Sequence, residues 1–368
     1  MTKVCHITCV HSKEDVRIFW KECCSLAQAG YDVSLVQQGE SYEKNGVHIM
    51  GFGAIASNRV RRMLQTARQA YKKAIELDAD IYHLHDPELL PYATRLKRKG
   101  KKVIFDSHEH TAESILEKEY LPSSIRRLIY KAFVAYQSYV CRRLDGIISV
   151  TPNIVEFFRR INPRTVQIAN YPIYQEDIQY PNFQERKIVF AGGISKQWNH
   201  HTIIQALEKL PDSHYCLCGI ADSGYMQQLE ALPGWKQVDY LGKIPHQEVA
   251  GKMAGCSVGM ALLSPGRNTD WQNGTIGNTK IFEEMMAALP VICTDFVLWK
   301  DFVERYACGF CINPEDVDAI AEKVQYLLDH PQEAKRMGEN GRNAVRESFN
   351  WGKEESKLFA FYEDILKN

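Results

Sequence analysis

Short apolar runs alternate along this chain with longer segments whose apolar positions recur every three or four residues. The short runs Val4–Val10, Val33–Val36, Val47–Met50, Ile81–His85, Val103–Phe105 and Gly146–Val150 predict strands. Between them Arg17–Ala29, Arg59–Leu77, Leu89–Lys99, Ile125–Leu144 and Asn153–Arg160 predict helices. Strands separated by helices build parallel βαβ units. From Asn170-Tyr-Pro172 to Phe183 the chain is proline-punctuated and carries neither period, which places a linker there. The alternation then resumes. Strands are expected at Lys187–Ala191, Tyr215–Gly219, Val238–Leu241, Val258–Leu263 and Val291–Cys293, and helices at Thr202–Leu210, Gln247–Ala254, Asp316–Asp329, Pro331–Phe349 and Lys353–Leu366.

Length and composition narrow the class. A chain of 368 residues exceeds one ordinary core and suggests two domains. With 45% hydrophobic and 24% charged residues it falls in the soluble globular range. The net charge is zero but unevenly spread: residues 1–168 hold 26 Lys+Arg against 18 Asp+Glu, and residues 169–368 hold 19 against 27. A basic first half suits an anionic membrane surface or an anionic lipid-linked acceptor, and equally an uneven scatter of solvated charge. The helices Arg59–Leu77 and Ile125–Leu144 carry basic residues around an apolar stripe, a pattern shared by helices lying on a bilayer and helices packed on a sheet. The chain opens on a strand, has no apolar run of membrane-spanning length, and its 11 cysteines show no spaced framework. A cytoplasmic location, peripheral at the inner face of the membrane, is expected, and nucleic acid is not expected as a partner.

The candidate chemistry centres on Asn273–Asp295. A Gly/Asn/Thr-rich loop there feeds a helix N-terminus, where unpaired amides and the helix dipole favour an anion. Lys280 in the first turn adds a full charge, and Glu283, three residues on, is placed to accept from a ribose diol. Neighbouring Glu284 faces elsewhere. This pattern suits a nucleotide diphosphate. Ligands on parallel sheets collect at the carboxyl ends of strands, which singles out His11 to Arg17, His85-Asp86-Pro87, and Asp106-Ser-His108-Glu-His110. A rival reading takes His83 and His85, two apart on a strand, with His108 and His110 as a metal site of a hydrolase. Asp78-Ala-Asp80 precedes its strand and reads as a solvated turn, and Gly51-Phe-Gly53-Ala-Ile-Ala56 is a weak glycine fingerprint best read as a loop.

Lys280-Ile-Phe-Glu283-Glu-Met-Met-Ala-Ala-Leu-Pro290-Val-Ile resembles the second half of the signature of the family 4 glycosyltransferases, retaining enzymes of the GT-B fold. The segments DVRIFWKE, FDSHE, CGFCINPED, MGENGRNAV and the late FNW extend the resemblance over nearly the whole chain, toward members that build bacterial polysaccharides. The resemblance implies an α/β chain of two Rossmann-like domains facing each other across a cleft. Residues 1–170 would bind the acceptor, with 353–368 packing back on them, and 171–352 would bind the donor. It implies transfer from a nucleotide-diphosphate sugar, UDP favoured, to a glycan or lipid-linked acceptor, with no metal or other cofactor. A non-catalytic nucleotide-sugar binder is the remaining alternative. Glu283 falls on the ribose-holding glutamate, and Thr275 stands where the family's sugar-contacting glutamate belongs. Gly193 replaces the usual diphosphate-gripping Arg, and Lys196 is a displaced substitute. The grip is thus expected from Lys280, the amides of Ile276, Gly277, Asn278 and Thr279, and Arg17. The base would rest near Ile244, His108 would contact the transferred sugar, and Asp15, Arg17 and His85 would line the acceptor or phosphate side.

Overall fold

The structure, a computed structural model, describes residues 1–53, 65–118 and 122–367. The chain divides into two compact units, Met1–Asn170 with Trp351–Asn368, and Tyr171–Asn350.

Eight strands form the sheet of the first unit: β1 (Lys3–Ile7), β2 (Asp32–Gln38), β3 (Tyr42–Lys44), β4 (Val47–Phe52), β5 (Ile81–Leu84), β6 (Lys102–Ser107), β7 (Gly146–Ser149) and β8 (Thr165–Gln167). Their order is β3-β4-β2-β1-β5-β6-β7-β8. Every pairing is parallel except β3–β4, a hairpin turned by Asn45 and Gly46 at positive φ. The apolar pattern misses β3 because this edge strand, Tyr-Glu-Lys, buries no side chain. Alternate residues of each strand feed opposite faces. Cys5 and Ile7 join Ala70, Ala74 and Phe158 on one side, and Val4 joins Ile18, Phe19, Leu358 and Phe361 on the other. The closing helix, Trp351–Lys367, thus completes the core of the first unit.

The first helix departs from the simple expectation. Val16–Cys23 is wound as a π-helix and only Cys24–Gln28 is α. A π-winding repeats near every fifth residue rather than every fourth. Arg17 and Glu22, five apart, therefore turn inward together, and both are buried. An α-helix would point one of them away.

In the second unit β9 (Lys187–Ala191), β10 (His214–Cys218), β11 (Val238–Gly242), β12 (Val258–Ala261), β13 (Val291–Thr294) and β14 (Gly309–Ile312) are all parallel, in the order β11-β10-β9-β12-β13-β14. Numbered within the unit this is 3-2-1-4-5-6, the doubly wound arrangement whose ligand crevice lies where the order reverses. The reversal falls between β9 and β12 here and between β1 and β5 in the first unit. At the end of β10 the backbone of Gly219 (φ +147°) passes so close to the turn after β9 that a Cβ would stand 1.8 Å from the Gly192 carbonyl oxygen, so only glycine fits. Residues 59–64 of the basic helix, with Arg61 and Arg62, and residues 54–56 of the glycine fingerprint lie outside the described residues.

Candidate functional site

Two groups of side chains gather, one in each unit, at the strand ends beside the reversal of order. In the second unit β9 runs into Gly192-Gly193, and the Lys280 side chain crosses that turn. A Cβ on Gly192 would stand 2.9 Å from Lys280 Cε. Lys280 Nζ donates to Glu283 Oε2 at 2.8 Å, and both side chains remain partly exposed. Their three-residue spacing on helix Lys280–Met286 makes them neighbours. Glu284 is buried beneath β12, where a Cβ on Gly259 would meet its Oε2 at 2.7 Å. Burial pushes its pKa well above the usual carboxylate value, and it is a neutral acid of the core. Ile244 packs half-buried on the cluster that includes Ala191 and Cys218, the last residues of β9 and β10. Gly193 is exposed with open space where a side chain would be. Lys196 is exposed in a single 3-10 turn, while Trp198 packs on Phe190 at 4.9 Å between ring centroids.

The loop before this helix corrects part of the expected diphosphate grip. Thr275 is buried; its carbonyl accepts from Trp299 Nε1 at 2.6 Å and its hydroxyl accepts from the Gly277 amide at 3.0 Å. It is a brace for the loop rather than a sugar contact. The Lys280 amide likewise donates to Asn278 Oδ1 at 3.2 Å. Of the row Ile276, Gly277, Asn278 and Thr279, the Gly277 amide is therefore spent inside the loop.

In the first unit the ends of β1, β5 and β6 assemble a polar centre. Parallel register sets His6 of β1 opposite His83 of β5, and His85 lies two residues on along the same face. Asp106 Oδ2 accepts from Arg17 Nε at 2.9 Å and lies 3.0 Å from His108 Nε2. Burial opposes ionisation of Asp106, but Arg17 and His108 outweigh it and hold the carboxyl well below its usual range. Burial pushes Glu22, 3.1 Å from Arg17 Nε, in the other direction. Beside this centre Asp86 accepts from Thr8 Oγ1 (3.0 Å) and the Cys9 amide (2.5 Å) and pairs with His11 Nδ1 at 3.0 Å. Burial disfavours charge on His11, yet the Asp86 carboxylate more than compensates and raises its pKa. His11, His85, Asp86, Asp106 and His108 line a cavity of about 220 Å³.

This geometry reassigns two residues expected at the phosphate side. Arg17 is 3% exposed, donates to the Ile168 carbonyl as well, and is a buried ion-pair partner rather than an exposed cation. Asp15 caps the first helix, accepting from the amides of Arg17 and Ile18. The supposed metal quartet does not assemble either. His110 accepts from the Glu113 amide at the start of helix Thr111–Leu116 and packs on Phe157, whereas His83 is fully buried. Ligand atoms of His6, Glu22, His83 and His85 do lie within 4.8 Å of one another, as do those of His85, Asp106 and His108. Both groups have donor types that zinc accepts. Arg17 Nε already lies 3.1 Å from Glu22 and 2.9 Å from Asp106, so both carboxylates have a cationic partner. His6, Glu22 and Tyr362 were not singled out by sequence reasoning; a histidine one residue inside the first strand was their only visible signal.

Comparison with known proteins agrees with this architecture. The family described as "Glycosyltransferase Family 4" matches residues 19–170, and "Glycosyl transferases group 1" matches residues 175–344. The chain is 20% identical over 331 residues to the D-rhamnosyltransferase WbpZ of Pseudomonas aeruginosa, covering 82% of this chain and 80% of that protein. A 59-residue segment is 38% identical to the MMP alpha-(1->4)-mannosyltransferase of Mycolicibacterium hassiacum, which is 16% of this chain and 14% of that one. Among solved structures, a sucrose-phosphate synthase from Thermosynechococcus elongatus superposes at a TM-score of 0.76 with 15% identity, covering all of both chains. Anabaena Alr3699/HepE in complex with UDP and glucose superposes at 0.74 with 13% identity, covering 99% of this chain and 100% of that one.

Proposed function

This chain belongs to the family 4 glycosyltransferases of GT-B fold, and we propose that it moves a sugar from a UDP-linked donor to a glycan or lipid-linked acceptor in cell-surface polysaccharide synthesis. The observation that carries this reading is the Lys280–Glu283 pair laid across the Gly192 turn. The leaving diphosphate gathers negative charge as the anomeric carbon becomes cationic, and Lys280 supplies fixed positive charge where that happens. Glu283, steadied by the same ammonium, accepts from the ribose hydroxyls and sets the position of the reacting carbon. The base rests against Ile244 at the ends of β9 and β10, and the open face of Gly193 leaves room for the phosphates.

The acceptor binds to the first unit, in the cavity of His11, His85, Asp86 and His108. Asp106 holds the His108 Nε2 proton, which leaves Nδ1 with a free lone pair for a sugar hydroxyl. Transfer proceeds with retention and without a catalytic metal. WbpZ, a D-rhamnosyltransferase by name, and the UDP-bound HepE structure support the substrate class.

The test is calorimetry with UDP, GDP and ADP on wild type and Glu283→Ala, alongside transfer from radiolabelled donors to a membrane extract with EDTA present. We expect UDP to bind wild type and to lose about tenfold or more in affinity on losing the ribose contact. Unchanged affinity in the variant sinks this placement of the ribose. Loss of transfer in EDTA returns the metal hypothesis.

The same reading puts the chain at an anionic membrane surface on the cytoplasmic side. Among the described residues no helix is long and apolar enough to cross a membrane. Helix Ser123–Cys141, however, exposes Ile125, Leu128, Ile129, Tyr136 and Tyr139 among Arg127, Lys131 and Arg142. Leu128 is 69% exposed. Co-sedimentation with phosphatidylglycerol vesicles should fall several-fold in Leu128→Glu, and binding that is indifferent to this change and to salt removes the membrane from the account.

A further inference from the structure

The polar centre of the first unit continues inward, past the residues given roles above, to the closing helix. Tyr362 Oη, fully buried, lies 2.7 Å from His83 Nδ1 and 3.2 Å from His6 Nε2. His6 Nδ1 is 2.9 Å from His85 Nε2. His85 Nδ1 reaches the head of the group, 3.3 Å from His108 Nε2 and 3.7 Å from Asp106 Oδ2. His6 and His85 are each joined at one nitrogen to the residue before and at the other to the residue after, whereas His83 is joined at Nδ1 alone.

We propose that Tyr362 is a positioning residue for His108, fixing through His6 and His85 which nitrogen of each ring carries its proton. The inference rests on His108 belonging to the acceptor site. A neutral imidazole has one donor and one acceptor nitrogen, so one choice of tautomer sets the whole chain. Two polarities satisfy the links from His83 through Tyr362 and His6 to His85. In the first, His83 Nδ1–H donates to Tyr362, the Tyr362 hydroxyl to His6 Nε2, His6 Nδ1–H to His85 Nε2, and His85 Nδ1–H points at Asp106. In the second every proton is reversed.

The first is favoured on two grounds. Asp106 is ionised and buried, so in a dry interior the N–H ends of the ring dipoles turn toward it. The reversed chain would also bury a His83 Nε2–H donor, and that nitrogen has no partner; an orphaned donor costs more than a bare lone pair.

The surrounding charges close the set. Arg17 and Glu22 face the centre from the first helix, His6 from β1, His83 and His85 from β5, Asp106 and His108 from β6, and Tyr362 from the closing helix, with His11 and Asp86 at the rim. Glu22 Oε1 and Asp106 Oδ1 are both buried without an ordinary donor. Arg17 Nε lies 3.1 Å from Glu22 Oε1 and 2.9 Å from Asp106 Oδ2 and faces both carboxylates. Glu22 Oε2 stands 3.8–3.9 Å from the three inner rings, too far to break their chain.

Histidine-selective ¹⁵N labelling with long-range ¹H–¹⁵N spectra reads each tautomer without any substrate. His6, His83 and His85 of wild type should all be Nδ1–H across the neutral range. Tyr362→Phe, which keeps the ring packed on Tyr31 and loses the hydroxyl, should mix the tautomers of His6, His83 and His108. In transfer assays the same variant should lose about tenfold in kcat at unchanged donor KM, with a displaced pH profile. Nε2–H on the three rings of wild type overturns the proposal, as does a Tyr362→Phe protein with unaltered tautomers. If that variant does not fold, the wild-type spectra alone decide. Because the spectra need no donor, absence of transfer counts against the functional reading and leaves this one to its own test.

Discussion

Replacing Lys280 by methionine is expected to lower kcat for sugar transfer by about 10²–10³-fold, the cost seen when one preorganised donor to a developing anion is removed, roughly 2.7–4 kcal/mol. Methionine keeps an unbranched stem over the Gly192 turn, where there is no room for a bulkier group. What is lost is the ammonium that holds Glu283 Oε2 at 2.8 Å and that the proposed function sets against the diphosphate. Transition-state charge exceeds ground-state charge on the leaving group, so kcat should fall more than KM rises. Glu283→Ala should behave differently, chiefly weakening nucleotide binding. Steady-state kinetics on the two variants separates the roles. A Lys280→Met enzyme within about threefold of wild-type kcat would remove Lys280 from the chemistry.

Acid should unfold the first unit before the second. Burial lowers His6 and His83 well below the ordinary 6.5 and takes His85 to about 4, so all three stay neutral when folded and take up protons when unfolded. Stability from such groups is whole above pH 6.5 and is lost as the pH falls, each contributing about 1.4 kcal/mol per pH unit. Glu22 works the other way. Its raised folded pKa means that acidification toward its ordinary 4.5 relieves a cost. His110, also lowered, opposes His11, which is raised, so the lowered histidines still outnumber the groups that work the other way and the unit loses stability as the pH falls from 6.5 toward 4.5.

In the second unit His200, lowered to about 3 by burial, is offset by Glu284, so the slope there is near zero. Below 4.5 the depressed carboxylates Asp86 and Asp106 steepen the decline in the first unit. Hydrogen exchange from pH 7 down to 4.5 should show β1, β5 and the closing helix opening while β9 and β12 stay protected. Simultaneous opening of both units, or none in the first, would refute this balance of charges.

The two outcomes depend on different kinds of information. The Lys280–Glu283 pair is local: three residues apart on one helix, it follows from spacing, and its helix and the strand Val291–Thr294 were legible in the apolar pattern. So was the α/β class, since every parallel strand of more than three residues except the half-exposed β14 shows as an apolar run. The edge strand β3 and the three-residue β8 were not, because a strand that short carries too little apolar pattern. The loop amides were misjudged for a related reason. Thr275 engages the Gly277 amide internally, Asn278 engages that of Lys280, and side-chain caps within a loop leave no periodic trace.

The polar centre of the first unit belongs to the tertiary structure. Order of strands places β1 beside β5, and their register sets His6 against His83 across 77 positions of sequence. Nothing local to either strand encodes that match. The π-winding that turns Arg17 and Glu22 inward together, and the return of the last helix that delivers Tyr362, are likewise settled only by packing. Sequence alone determined which segments are strands or helices and which charges share one helical face, because both are set by neighbours within a few residues. Which buried acid keeps its proton, which arginine is spent in an ion pair and which histidines touch were decided by strand pairing, since burial and Coulomb energy depend on distance in space.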